Sequence, residues 1–201
     1  MDNSIAIELA DSELVTRSVR GDISAFNQIV DRYQSHVYNV AARTLGNRSA
    51  AEDVTQETFI SAYKAIPGFR GGSLRAWLLR IARNQCFDHL RSIKRRPESS
   101  LEEAFEDTGF TQPASADSLP ETQVLGAELG RAIGRAIHSL PPDQRITLVT
   151  IDVQGLSYEE TAEAFGVSIG TVKSRLSRAR SKVRDLLARE TELLPEQFRR
   201  V

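Results

Sequence analysis

Apolar side chains recur at three- and four-residue steps along most of the chain, which is the spacing of one face of an α-helix. The first clear stripe covers residues 26–45 and stops at Gly46. A second covers residues 54–66, and a third covers residues 73–95 and stops before Pro97. Because no stretch shows a sustained period of two, the sequence predicts an all-α protein.

This periodicity fades after Pro97, where serine, proline, threonine, glycine and acidic residues dominate, and it resumes at Leu125. The fading segment is typical of a flexible acidic linker. The sequence therefore predicts two small helical domains joined by that linker. The predicted boundaries are residues 11–97 for the first domain, 98–124 for the linker, 125–188 for the second domain and 189–201 for an unassigned C-terminal extension.

Charge is strongly segregated, although the net charge of the chain is only −1. Residues 69–96 carry eight basic side chains and one acidic side chain, and residues 166–184 carry six basic side chains and no acidic one. Between these blocks, residues 98–128 carry eight acidic side chains and no basic one. Surface charges are screened over about 10 Å, so a polyanion responds to local patches. Two basic blocks indicate two contact sites for a polyanion, and solvated helix faces are the alternative.

Several classes of protein are disfavoured by composition. The longest apolar runs fall far short of the roughly 20 residues that cross a bilayer, and the N-terminus lacks the layout of a signal peptide. The single cysteine, Cys86, rules out an internal disulfide framework. We expect a cytoplasmic protein without membrane insertion. No nucleophile–base pair, metal cluster or phosphate-cradling loop is visible, so we expect neither enzymatic activity nor a cofactor or metal.

The C-terminal basic block carries the signals of a helix-turn-helix over residues 157–187. Ser157 and Glu160 stand at capping-box spacing at the start of a short helix. Gly166 suits the tight turn that follows, because glycine tolerates positive φ, and Ser168 suits the start of the next helix. In this motif the second helix enters the major groove of DNA.

Polar and basic side chains of that second helix are predicted to face outward, opposite a buried apolar stripe. An arginine such as Arg178 can bind guanine O6 and N7 as a bidentate pair, and small hydroxyl side chains suit phosphate oxygens. A structural helical hairpin with solvated arginines is the alternative. The candidate DNA-binding residues are Ser168, Thr171, Lys173, Ser174, Arg175 and Arg178.

The N-terminal basic block predicts a second nucleic-acid contact. Arg80, Asn84, Phe87 and Arg91 fall in register on one side of the third helix, and a glycine-containing loop at residues 69–73 precedes them. An aromatic ring within a basic stripe suits single-stranded nucleic acid, because a base can stack on the ring while the charges meet the backbone. Packing of Phe87 against a neighbouring helix is the alternative. Cys86 and His89 are expected to be core residues and not ligands.

Taken together, these stretches resemble the extracytoplasmic-function sigma factors of the bacterial sigma-70 family, from about Asp11 to Leu187. The motifs that carry the resemblance are AEDVTQETF at residues 51–59, FRGGS at 69–73 with WLLRIARN at 77–84, and GTVKSRLSRAR at 170–180. The resemblance implies a dissociable, non-enzymatic subunit that binds core RNA polymerase and promoter DNA and directs transcription initiation. It also implies an anti-sigma factor as a further partner, and we expect a monomer when the protein is free.

The resemblance assigns roles to particular positions of this chain. Asp53, Gln56 and Glu57 match the family's docking surface for core polymerase, although a solvated face explains these polar side chains equally well. The second domain corresponds to the reader of the minus-35 element, through the candidate residues above. The positions corresponding to the reader of the minus-10 element are Arg70, Gly71, Gly72, Ser73, Arg80, Asn84, Phe87 and Arg91.

One departure from the family bears on specificity, because Ser177 stands where some relatives carry a bulky apolar residue. The main rival function is a self-sufficient helix-turn-helix regulator that dimerises on a palindrome. That rival leaves the polar face around Asp53 and the basic stripe around Phe87 without a role. A scaffold or adaptor with incidental basic helices is the remaining alternative.

Overall fold

The computed structural model describes residues 9–95 and 120–189, and within those ranges it contains helices and no strands. The expected linker before residue 120 and the extension after residue 189 lie outside the described residues. The all-α prediction is confirmed. The first bundle comprises α1 (Asp11–Val19), α2 (Ile23–Leu45), α3 (Arg48–Ala65) and α4 (Leu74–Arg95). The second bundle comprises α5 (Pro120–His138), α6 (Pro142–Leu148), α7 (Tyr158–Phe165) and α8 (Ile169–Leu187).

Local signals in the sequence explain where the helices of the first bundle begin and end. The Asp22 side chain caps α2 by accepting from the Ala25 amide at 3.1 Å. The helix ends at Gly46, whose φ of 71° is a left-handed conformation that favours glycine. As predicted, Ser73 caps α4, its Oγ accepting from the Ala76 amide at 3.2 Å. A short 3-10 turn, Ile66–Gly68, closes α3 at the expected proline.

Two details of the second bundle differ from the sequence-based expectation. Helix α5 begins at Pro120, five residues before the expected start at Leu125. Proline fits the first turn of a helix, where its missing amide is not needed, so the apolar stripe alone underestimates the length of α5. The helix expected to run from Pro142 towards Gly155 is α-helical only to Leu148 and continues as a π-helical turn, Val149–Val153. A π-helical turn has hydrogen bonds from residue i to residue i+5, so an apolar pattern with a period of 3.6 residues does not predict it.

The two bundles pack against each other, and their buried apolar side chains form one continuous cluster. Helix α4 contacts α7, and α2 contacts α5 and α6. Val37, Leu78 and Leu79 from the first bundle belong to the same cluster as Leu140, Ile146 and Phe165 from the second. Burial of apolar surface therefore holds the bundles together in this state.

Candidate nucleic-acid interface

The helix-turn-helix of the second bundle has the predicted local geometry. Ser157 and Glu160 form a complete capping box, with the Ser157 Oγ accepting from the Glu160 amide at 3.0 Å. Gly166 ends α7 with φ of 63°, and Ser168 caps α8 by accepting from the Thr171 amide at 3.1 Å. These contacts fix the angle at which α8, the predicted recognition helix, leaves the turn.

Helix α8 divides into a buried and an exposed side as expected. Val172, Leu176 and Ala179 are buried, which anchors the helix on the rest of the bundle. The side chains of Lys173, Ser174 and Arg178 are exposed, as is Ser168 at the helix start. Thr171 is half-buried, and its hydroxyl lies 2.9 Å from the Ser168 Oγ. The exposed side is therefore basic and polar, as a DNA-reading helix requires.

Arg175 differs from its neighbours on α8, because it is held in an ion pair within the protein. Its guanidinium lies 3.2 Å from the Asp143 carboxylate at the start of α6, and its side chain is only 21% exposed. The expectation that Arg175 projects freely outward is thus wrong for this state. The two partners lie 32 positions apart in the sequence, so no local pattern predicts this ion pair.

The glycine-containing loop of the first bundle lines a pocket of about 420 Å³ before α4. Gly71 and Gly72 have φ of 94° and 87°, so backbone conformation, and not lack of space, requires glycine there. The rings of Phe69 and Trp77 meet edge to face at 5.3 Å on one side of the pocket. Arg70 and Arg80 line it as well, and both are exposed. An aromatic pair beside two guanidinium groups is suited to holding a base and its phosphate.

Part of the lining of that pocket comes from α7 of the second bundle, through Glu160, Glu163 and Ala164. Hydrogen bonding to the Ser157 amide is the main reason that the pKa of Glu160 lies below its ordinary value, with smaller contributions from the Ser73 hydroxyl and the charge of Arg75. Glu160 is thus held as a carboxylate facing the loop. No pattern in the sequence predicts that an acidic helix lines this pocket.

The stripe further along α4 borders a second pocket, of about 460 Å³. Asn84 and Arg91 are exposed there, and Arg91 pairs with Asp88 at 2.7 Å. Phe87 is half-buried against the common core, which confirms the packing alternative for this state. Arg83 was not among the predicted site residues, and its guanidinium lies 4.7 Å from the centre of the Phe87 ring.

Arg83 reaches across to the second bundle. Its guanidinium lies 3.8 Å from the Asp143 carboxylate and 5.0 Å from the centre of the Phe165 ring. Desolvation is the main reason that the pKa of Arg83 is lowered. The negative charge of Asp143 raises this pKa, whereas the positive charge of Arg175 lowers it further. Two arginines from different bundles therefore share one carboxylate.

The polar face of α3 is accessible. Asp53, Gln56 and Glu57 are exposed, while Val54 and Phe59 on the other side of the helix are buried. Beside this face, α2 and α3 border an apolar groove of about 980 Å³, which Gln56 also lines. This combination of a polar rim and an apolar groove is typical of a protein-binding surface.

Other candidate chemistry is not supported in the part of the chain that the structure describes. Cys86 is fully buried, and burial raises the pKa of its thiol to about 12. Within residues 9–95 and 120–189 no group of histidine, cysteine and acidic side chains is arranged to hold a metal ion. Every helix in those ranges is too short or too polar to span a lipid bilayer.

Comparison with known proteins gives consistent matches to both halves of the chain. The family model of sigma-70 region 2 matches residues 29–96, and that of sigma-70 region 4 matches residues 130–183. The ECF RNA polymerase sigma-E factor of Haemophilus influenzae is 39% identical over 182 residues, covering 89% of this chain and 96% of the relative. The factor of the same name from Escherichia coli is 40% identical over 189 residues, covering 90% of this chain and 98% of the relative.

Two solved structures are similar over most of the chain. One is CnrH in complex with the cytosolic domain of CnrY, with a TM-score of 0.61 and 27% identity over 88% of this chain and 96% of that one. The other is the sigma factor RpoE in complex with the anti-sigma factor NepR from Bartonella quintana, with a TM-score of 0.63 and 29% identity over 81% of this chain and 96% of that one.

Proposed function

Because the chain belongs to the extracytoplasmic-function group of the sigma-70 family, we propose that it is a dissociable initiation subunit of bacterial RNA polymerase. It binds core polymerase, recognises the minus-10 and minus-35 elements of a promoter, and performs no covalent chemistry itself. The observation that carries the proposal is the presence of two different basic surfaces on one chain. One is the exposed basic side of α8, and the other is the aromatic and basic pocket before α4.

The minus-35 element is assigned to α8 in the major groove. Lys173 and Arg178 are exposed, and their long side chains suit base edges or phosphates. Ser168, Thr171 and Ser174 suit phosphate oxygens near the helix start. Arg175 becomes a further DNA-binding residue of α8 when its ion pair with Asp143 is broken.

The minus-10 element is assigned to the loop of Arg70, Gly71, Gly72 and Ser73 and to the basic stripe of α4. The pocket beside the Phe69 and Trp77 rings is large enough for a single unstacked base. Further along the helix, the exposed side chains expected to follow the single strand are Arg80, Asn84 and Arg91, with Phe87 as a stacking partner.

Two protein partners are proposed. Core polymerase is assigned to the exposed face of Asp53, Gln56 and Glu57 with the adjacent groove of α2 and α3. An anti-sigma factor is the second, supported by similarity to RpoE, which was solved with the anti-sigma factor NepR, and to CnrH, which was solved with the cytosolic domain of CnrY. The cytoplasm is the compartment in which all of these interactions take place.

Run-off transcription with bacterial core polymerase tests the proposal. The template carries a promoter from the same genome, and the controls are core polymerase alone and the chain alone. We expect a transcript of defined length only when both are present. Tight sequence-specific duplex binding by the chain alone, with no transcript from any promoter tried, would instead support the self-sufficient regulator.

A further inference from the structure

Helix α8 carries basic side chains on the flank beside the start of α7, in addition to those on its exposed side. Lys173 and Arg180 are seven residues apart, which is close to two turns of an α-helix, and both contact Tyr158, the first residue of α7. In a helix-turn-helix the first helix crosses the DNA backbone while the second lies in the major groove. The flank beside α7 is therefore the side of α8 that is expected to meet phosphates.

Arg180 is held on this flank by a bidentate ion pair with Asp152. The Asp152 carboxylate accepts from the Arg180 Nε at 2.9 Å and from its Nη2 at 2.5 Å. Hydrogen bonding to Asp152 is also the main reason that the pKa of Arg180 lies above its ordinary value, and hydrogen bonding to Tyr158 acts in the same direction. Two parallel hydrogen bonds fix the plane of a guanidinium, which a single contact does not.

Asp152 owes its position to the π-helical turn that continues α6. Val149 and Thr150 of this turn are buried, whereas Asp152 pairs with a residue of α8 that lies 28 positions further along the chain. A π-helical turn has more residues per turn than an α-helix, so it changes the direction in which the following side chains point. Such turns are frequent at functional sites.

The ion pair leaves part of the guanidinium available to a ligand. An arginine side chain has five N–H donors, and the two hydrogen bonds to Asp152 occupy one on Nε and one on Nη2. The Arg180 side chain is 51% exposed, against 30% for Asp152, so the arginine is the outer member of the pair. Arg180 can therefore donate to a phosphate oxygen while it remains paired with Asp152.

A side chain that is held in place before binding loses less freedom when it binds. Immobilising a free arginine at an interface reduces affinity by about twofold to tenfold. Much of this loss is already incurred in the free protein, because Asp152 restrains Arg180. The negative charge of Asp152 acts in the opposite direction, since it repels phosphates. That repulsion is reduced by the paired guanidinium and by salt, which screens surface charges over about 10 Å.

We propose that Asp152 is a positioning residue of the minus-35 reader, which holds the Arg180 guanidinium ready to bind a backbone phosphate beside the recognition helix. This role rests on the proposed function, because it requires α8 to lie in duplex DNA. An acidic side chain then strengthens DNA binding, which is the opposite of the effect expected from its charge alone.

The sign of the change in DNA binding tests this role. Binding of the holoenzyme to promoter duplex is measured by fluorescence anisotropy for Asp152→Asn and for a matched control, Glu159→Gln. Glu159 is an exposed acid beside Tyr158 on α7 and is not part of the ion pair. Each variant removes one negative charge. We expect Asp152→Asn to weaken binding by about twofold to tenfold, and Glu159→Gln to leave it unchanged or slightly tighter.

Two outcomes of this measurement would overturn the role of Asp152. The first is that Asp152→Asn binds as tightly as the unsubstituted protein, or more tightly, which is the result expected from charge alone. The second is a loss confined to the cognate duplex. Because phosphates carry no sequence information, the loss must be equal on a duplex with a scrambled minus-35 element.

Variants of Arg180 separate positioning from other effects of Asp152. Arg180→Gln should lower the slope of log affinity against log salt concentration by about 1, as the loss of one phosphate contact predicts. In the Arg180→Gln background, Asp152→Asn should cause no further loss, and Asp152→Glu alone should retain part of the affinity because it keeps a carboxylate. An unchanged slope in Arg180→Gln, or an equal loss from Asp152→Asn in both backgrounds, would contradict the proposed contact.

Nuclear magnetic resonance of the free full-length chain tests the restraint without polymerase or promoter. The Nε–Hε signal of Arg180 is identified by its disappearance in Arg180→Gln. We expect this group to be rigid on the picosecond-to-nanosecond timescale in the unsubstituted protein and mobile in Asp152→Asn. Equal mobility of Arg180 in the two proteins would show that Asp152 does not position it.

Failure of this role and failure of the proposed function give different results. A transcript in the run-off assay, together with tighter DNA binding by Asp152→Asn, would reject the positioning role and leave the initiation subunit intact. A rigid Arg180 in the free chain with no transcript from any promoter would reject the initiation subunit, and with it the part of the ion pair in reading a minus-35 element.

Discussion

Replacing Arg145 by alanine should destabilise the protein more than any other single change to a charged side chain of the second bundle. The Arg145 side chain is only 7% exposed, although it carries a charge. It donates to the carbonyl oxygens of Thr44, His138 and Leu140, the last at 3.0 Å. The residue therefore closes the end of α5 and joins the two bundles at the same time.

The contacts of Arg145 give the order of magnitude of the loss in the free energy of unfolding that Arg145→Ala should cause. Burial lowers the pKa of Arg145 to about 10 from 12.5, so the charged form is disfavoured in the folded state by about 3 kcal/mol. Three hydrogen bonds from a charged donor contribute roughly 1.5–3 kcal/mol each, which exceeds that cost. Alanine loses these three hydrogen bonds and recovers the desolvation cost, so the net loss is about 2–5 kcal/mol. We expect Arg145→Ala to lower the free energy of unfolding by about that amount.

Urea denaturation followed by circular dichroism measures this loss. The matched control is Arg131→Ala, since Arg131 is an exposed arginine of the neighbouring α5, and its replacement should change stability by less than about 0.5 kcal/mol. Arg145→Lys should be intermediate, because lysine keeps the charge but lacks the planar fork that reaches several carbonyls. A loss below about 1 kcal/mol for Arg145→Ala would refute the reasoning, since it would mean that desolvation cancels the hydrogen bonds.

Three further predictions concern the proposed surfaces and the turn between α7 and α8. Arg178 is exposed on α8, and Arg178→Ala should weaken binding of the holoenzyme to promoter duplex by about 1–3 kcal/mol. An equal loss on a duplex with a scrambled minus-35 element would show that Arg178 contacts only phosphate. Asp53→Lys should reduce the capture of core polymerase in a pull-down without altering helicity, because Asp53 is exposed on α3. Unchanged capture would show that this face is not part of the interface. Gly166→Ala should lower the free energy of unfolding by about 1–2 kcal/mol, because the φ of 63° at this position is unfavourable for alanine. A melting temperature equal to that of the unsubstituted protein would contradict this prediction.

Local features of the fold were predictable from sequence because their causes are local. Gly46 and Gly166 end helices in the left-handed conformation, and Ser73, Ser157 and Ser168 cap the helices that they precede. Each signal involves residues within four positions of one another. The candidate DNA-binding residues of α8 were likewise predicted from the pattern of apolar and charged positions along one helix. Lys173, Ser174 and Arg178 are exposed, as this pattern predicts.

The relation between the two bundles could not be predicted in this way. The pairing of Arg175 with Asp143, and of Arg83 with the same carboxylate, depends on positions that are distant along the chain. Phe87 illustrates the limit, since a ring in a basic stripe suits both a stacked base and a packed core, and only the approach of the second bundle decides which contact it makes here. Tertiary packing of this kind leaves no periodic signature in a single sequence.

The connection of the two bundles through one chain has a consequence for the strength of the contact between them. Only 24 residues separate Arg95, the last residue of α4, from Pro120, the first of α5. The contact between the bundles is therefore intramolecular, and a connection of this length keeps the effective concentration of one bundle near the other on the order of millimolar. Dilution of the protein does not lower this value, whereas it would weaken the same contact between two separate chains.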